Sequence, residues 1–169
     1  AGLWRYKIGD TIKFTSTHPY RFVISGRTKH FINAFGEELI VENAENGIAR
    51  ACEQSHALVD DFTAAPRYIG GGQKGCHEWI IEFSQPPQDL NHFVKALDES
   101  LRAINTDYDA KRTKSIAVAE PIVHAVKPGT FYKWMKRRGK LGGQNKVPRL
   151  ANKRDYVEDI LKMLEQETN

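Results

Sequence analysis

Three stretches carry more polar chemistry than packing requires. In Tyr6-Lys7-Ile8-Gly9-Asp10 a carboxylate sits beside a glycine on a tight turn. Such an oxygen pair can accept from two vicinal hydroxyls, as acidic residues do on ribose. A turn aspartate bonding its own backbone is the simpler local reading. Gly26-Arg27-Thr28-Lys29 sets two cations at alternate positions next to a glycine. That pattern suits phosphate or sugar oxygens, or a hinge absorbing a change of backbone angles, or, most plainly, a solvated turn. Gly139-Lys140-Leu141-Gly142-Gly143-Gln144-Asn145-Lys146-Val147-Pro148-Arg149 hangs Lys146 on a glycine arm that Val147-Pro148 then stiffens. A lysine so placed can swing into a distant site and act as a point charge on developing negative oxygens. The alternative is a basic surface loop, with Lys136-Arg137-Arg138 as a solvated helix end.

Other chemistries find little support. The six histidines are scattered singly, without ligand spacing. His77, between Cys76 and Glu78, reads as a structural residue at a strand start rather than a metal ligand. Two cysteines are too few for a zinc site or a disulfide framework and fit small thiols in a reducing cytoplasm. Gly70-Gly71-Gly72-Gln73-Lys74-Gly75 lacks the Lys-Ser/Thr of a phosphate loop and reads as a flexible hairpin tip. A net charge of +4 permits phosphate contacts without calling for a nucleic-acid partner. No apolar run approaches the roughly 20 residues of a membrane span. The chain is long enough for one domain with a core, or one domain and an appendage. Its first residues, Ala1 to Lys7, read as the middle of a longer protein.

The elements that must position these groups follow from periodicity. Two short strands joined at Gly9-Asp10 are expected over residues 3–14, then a polar loop from Thr15 to Pro19 and a strand over Tyr20–Ile24. After Gly36, Glu37-Glu38 are expected to open a helix with Leu39, Ile40, Ala44, Ile48 and Ala51 on its apolar face. Strands follow at Ala57–Ala64 and Trp79–Phe83. Leu90, Phe93, Val94, Leu97, Leu101 and Ile104 form the stripe of an amphipathic helix. Residues 116–126 read as extended and interrupted at Pro121. Thr130 is the expected cap of a short helix with Phe131, Trp134 and Met135, and a last helix presents Tyr156, Val157, Ile160, Leu161 and Leu164. This order makes an α+β fold, a small mixed sheet with helices packed on it, ferredoxin-like and preceded by a short β segment.

Taken in order, Tyr-x-x-Gly-Asp, then Gly-Arg-x-Lys, then a lysine on a glycine arm resembles the end of the adenylate-forming (ANL) superfamily. Tyr20-Arg21-Phe22-Val23, Gly75-x-His77-Glu78-Trp79, Leu97-Asp98-Glu99-x-Leu101, Asn105-x-Asp107-Tyr108, Gly129-Thr130-Phe131 and Gly142 to Arg149 resemble more closely the auxin-responsive acyl-acid amido synthetases and their bacterial relatives. The resemblance implies an ATP- and Mg²⁺-dependent ligase that adenylates a carboxylic acid and passes the acyl group to an amine or amino acid. It implies that residues 1–26 are the last strands of a large N-terminal domain and 27–169 a rotating C-terminal domain, hinged near 26–36. By carry-over Asp10 holds the ribose hydroxyls, Arg27 lies near ribose or phosphate, Lys29 falls at the hinge, and Lys146 bridges the acyl carboxylate and the phosphate. The large domain would carry the phosphate loop and most of the ATP and Mg²⁺, so the piece alone is expected to be inactive. Phe35-Gly36-Glu37-Glu38 is closer to the general superfamily hinge than to the plant pattern. A CoA ligase of the same superfamily, with a thiol acceptor, and a non-catalytic ferredoxin-like module binding RNA through Lys136, Arg137, Arg138 and Lys140 are the other readings.

Overall fold

The computed structural model describes residues 9–27, 30–70, 74–113, 117–142 and 145–168. It opens on an antiparallel hairpin of β1 (Asp10–Thr17) and β2 (Tyr20–Arg27). The segment expected to be a loop from Thr15 is strand as far as Thr17, and only His18-Pro19 turn. β3 (Phe31–Ile32) and β4 (Leu39–Ile40) pair with each other. The helix expected from Glu37 therefore begins four residues later, as α1 (Val41–Ser55). The delay has a local cause: the Asn43 side chain accepts the Ile40 amide at 3.3 Å and caps the start there.

The body is built on β5 (Leu58–Ile69), β6 (Lys74–Gln85) and β7 (Ile122–Val126), ordered β5-β6-β7. β5 and β6 are antiparallel, whereas β6 and β7 are parallel, as a helical crossover permits. The crossover is α2 (Leu90–Ile104) and the short α3 (Thr106–Arg112). Pro121 interrupts the last extended segment as its position suggests: Val118 bridges to Gly75, and pairing resumes at Ile122 opposite Glu78. α4 (Thr130–Arg137) and α5 (Asp155–Thr168) complete the chain.

Helices cover both faces of the sheet. Trp79, Ile81 and Phe83 of β6 face one core, packed with Ala44, Ile48 and Ala51 of α1 and Phe93, Leu97 and Leu101 of α2. The intervening Ile80 faces a second core with Phe131, Trp134, Met135, Val157, Ile160 and Met163 of α4 and α5. A strand covered on both sides is buried almost continuously, so β6 extends well beyond its apolar run. Small residues let α1 approach α2 closely, since a Cβ at Gly47 would stand 2.8 Å from Leu101 Cδ2.

Gly75 is tighter still. A Cβ there would overlap both the Arg67 carbonyl and the Phe35 ring. This end of the glycine stretch is a packed strand position rather than part of a hairpin tip. Gly71, Gly72 and Gln73 lie outside the described residues.

Candidate functional site

Buried carboxylates frame the site. Glu82 lies on the α4 side of β6, and its two oxygens accept the amides of Gly129 at 2.6 Å and Phe131 at 2.9 Å. A carboxylate from the sheet thus caps α4, where the helix dipole favours negative charge. Thr130, expected as the cap, is the first helical residue, and its hydroxyl donates to the Lys127 carbonyl. Four residues back along the strand, on the same face, buried Glu78 accepts from Arg67, His124 and Arg154 at 3.1, 2.9 and 2.6 Å. Burial pushes the Glu78 carboxyl up, but the His124 and Arg154 bonds prevail and hold it below the usual range.

On the opposite face a second polar cluster fixes the loop that follows β3. The Glu37 carboxylate accepts the Ala34 and Phe35 amides and meets His77 Nε2 at 2.8 Å, with both side chains fully buried. His77 is thus structural, as its position suggests. The Asn105 side chain donates to the Glu37 carbonyl at 2.9 Å, and Asn152 accepts the Asn33 amide at 2.8 Å. Burial raises the Glu37 carboxyl, but the hydrogen bond and charge of His77, with the loop amides, lower it further and leave it below its ordinary 4.5. A depressed carboxyl contributes stability above its unfolded pKa that is lost as pH falls through the folded value. We therefore expect Glu37→Gln to be clearly less stable than the parent in urea at pH 7. The difference should shrink as pH drops below about 4.5. A gap that stayed constant with pH would exclude this carboxylate as the titrating group.

A cleft of about 1320 Å³ opens between α4, the start of β5 and the described parts of the arm, residues 140–142 and 145–149. Asp60, Asp61 and Glu45 line it together with Lys140, Lys146 and Arg149. The arm leaves α4 through Gly139 at φ 64° and Gly142 at φ 79°, left-handed conformations that glycine adopts without strain. It is caught again beyond Lys146, where the Thr63 hydroxyl donates to the Pro148 carbonyl at 2.6 Å. The Ala64 amide donates to the Arg149 carbonyl at 2.9 Å, and the Ala151 amide to the Ala64 carbonyl at 3.1 Å. Between these two ends Lys146 is exposed, and among the described residues its ammonium is in no ion pair.

The other predicted site residues lie elsewhere. Asp10 and Arg27 are cross-strand partners in register at the open end of the first hairpin. Lys29 lies outside the described residues. Hence the backbone brings Asp10 and Arg27 together, while Lys146 stands on a separate arm. The basic run Lys136-Arg137-Arg138, which closes α4, is not a free cationic strip. The Arg138 guanidinium covers the Trp134 and Tyr156 rings at 4.6 and 4.9 Å, and Arg137 bonds Gln166. Glu82 and Asp61 were not singled out from the sequence, and Glu78 and Asp98 enter it without a role, within the motifs of the family resemblance. The i, i+4 spacing of Glu78 and Glu82 around an apolar run was the available signal, because it puts both carboxylates on one face of a strand.

The fold and arm define a small helix-covered mixed-sheet domain of α+β class that presents Lys140 and Lys146 beside a cleft. The chain belongs to the GH3 family: the GH3 family C-terminal domain matches residues 42–155, about two thirds of its length. Two solved structures share the fold. "GH3.15 acyl acid amido synthetase" superposes with a TM-score of 0.71 at 20% identity, covering 95% of this chain and 31% of that one. "AtGH3.15 acyl acid amido synthetase in complex with 2,4-DB" superposes with a TM-score of 0.68 at 20% identity, covering 95% and 30%. The chain thus spans under a third of the length of the synthetases it resembles. No curated protein sequence matches it.

Proposed function

We propose that this chain is the lysine-bearing lid of an ATP-dependent acyl acid amido synthetase. Such an enzyme adenylates a carboxylic acid and passes the acyl group to an amine or amino acid. The observation that carries the reading is Lys146, exposed and, among the described residues, without a carboxylate partner, on an arm between left-handed glycines and an anchored proline. Attack of the acid on the α-phosphorus builds negative charge on oxygen, and a positioned ammonium stabilises it. Asp10 receives the ribose hydroxyls, Arg27, its cross-strand partner, contacts ribose or phosphate, and Lys29 belongs to the hinge segment.

The residues fit a nucleotide better than a metal. Lys146 and Arg27 suit phosphate oxygens. Among the described residues no group of three histidines, cysteines or carboxylates could hold an ion. By the family resemblance we assign Mg²⁺ and most of the ATP to a large N-terminal domain, with residues 1–26 as its last strands and 27–169 as the rotating unit. The first hairpin supports that division, because Ile12, Phe14, Phe22 and Ile24 leave an apolar face open. Here Phe14 meets Tyr20 and Phe22 edge to face, at centroid separations of 6.0 and 6.4 Å. A larger domain would cover that face.

The test uses the full-length protein with ATP, Mg²⁺ and a panel of aryl and alkyl carboxylic acids. Hydroxylamine, amino acids or CoA are offered as acceptors. We expect hydroxamate and amide products, and no ATP–pyrophosphate exchange from residues 1–169 alone. Thioester formation with CoA and no amide would overturn the assignment.

A further inference from the structure

We propose that Asp61 and Arg149 form a clasp that positions Lys146 for adenylation. The inference rests on the reading of Lys146 given above and adds residues that reading does not use. Arg149 follows the lysine by three residues, and its side chain is engaged on several sides. Its guanidinium pairs with the Asp61 carboxylate, lies 4.5 Å over the Phe62 ring, points a nitrogen to the Phe62 carbonyl at 3.4 Å and stands 4.0 Å from Glu45. Asp61 in turn accepts the Phe62 amide at 3.0 Å. Both side chains are about 30% exposed, at the cleft wall that also carries Lys146.

The chain does not need this pair to stay on the sheet. The hydrogen bonds from Thr63, Ala64 and Ala151 and the full burial of Leu150 already hold it there. What the pair adds is orientation. A planar fork stacked on an aromatic ring and tied to a carboxylate fixes the rotation of the segment about its own axis, which a lysine at 149 could not do. That rotation sets the direction in which the chain leaves Pro148 toward Lys146. Asp61 and Arg149 are thus positioning residues, acting through Lys146.

Asp61→Asn and Arg149→Lys are made in the full-length protein beside Lys146→Ala. ATP–pyrophosphate exchange is measured with whichever carboxylic acid exchanges fastest in the parent, and amide formation with the adenylate of that acid supplied directly. Small misplacements of a catalytic group cost up to about 10²-fold. We expect each clasp variant to lower kcat for exchange by about 10-fold or more, with KM for ATP and the amide-forming rate within about twofold. If Lys146→Ala abolishes exchange while both clasp variants exchange at the parent rate, the clasp is wrong and the lysine assignment survives. If clasp variants lose both half-reactions in proportion, their role is only structural and the proposal fails. If Lys146→Ala leaves exchange unchanged, the underlying reading falls and the clasp with it.

Discussion

Lys146→Ala in the full-length protein is expected to lower acyl-adenylate formation about 10²–10³-fold, the usual cost of removing one preorganised stabiliser of a developing oxyanion. The effect should fall on one half-reaction. An amine attacking a preformed adenylate has no need of a cation between acid and phosphate, so amide formation from supplied adenylate should stay near the parent rate. Folding should be untouched, because the side chain is exposed and makes no ion pair among the described residues. Paired measurement of ATP–pyrophosphate exchange and single-turnover amide formation separates the steps. Exchange at the parent rate would end the assignment of Lys146 as the adenylating cation.

The largest stability effect is expected far from the cleft, at Asp98. Its carboxylate receives two Arg112 nitrogens at 2.7 and 2.6 Å and the Tyr108 hydroxyl at 2.7 Å. Asp98 and Arg112 side chains are 7% and 12% exposed. Burial and then the Asp98 charge push the Tyr108 phenol well above its ordinary value, and the Asp98 hydrogen bond raises the Arg112 guanidinium. Asp98→Ala would strand a buried guanidinium and a buried phenol together. Breaking such a pair from one side costs about 3–5 kcal/mol. At roughly 2–4 °C per kcal/mol for a chain of this size, the melting midpoint should fall by about 6–20 °C. Arg102→Ala is the control. It removes an ion pair to Asp109 whose partners are 41% and 44% exposed, and such surface pairs are worth under about 1 kcal/mol. Equal shifts for the two variants would contradict the buried triad.

Periodicity carried the amphipathic parts of this fold. α2 runs from Leu90 to Ile104, the first and last residues of its apolar stripe, and α5 contains all five residues expected of it. It failed where the partner is distant in the chain. The strand expected over Trp79–Phe83 extends to Lys74–Gln85, and Glu78 and Glu82 are interior because Arg67, Arg154, His124 and the start of α4 come to meet them. No local pattern announces those partners. α3 is only seven residues, anchored by Asn105 and a single buried Tyr108, too short for a stripe. Leu39-Ile40 fits a helical face as well as a strand, and pairing with Phe31-Ile32 decides between them. At the candidate site, residue types and spacing raised Lys146, Asp10 and Arg27 as candidates, and only the family resemblance gave them roles. The anchor was invisible, since nothing in Asp60-Asp61-Phe62-Thr63 says that residues 148–151 lie against it.

That anchor has a consequence for reach. Only Val147 separates Lys146 from Pro148, whose carbonyl Thr63 holds. Two extended residues span about 7 Å at most, so the Lys146 Cα is tethered within that radius whatever the glycines upstream allow. A short tether of this kind keeps the effective concentration of its charge high inside a small volume and near zero outside it. Long excursions of the ammonium must then come from moving the whole sheet, and lengthening the Gly139–Gly143 stretch would leave its working range almost unchanged.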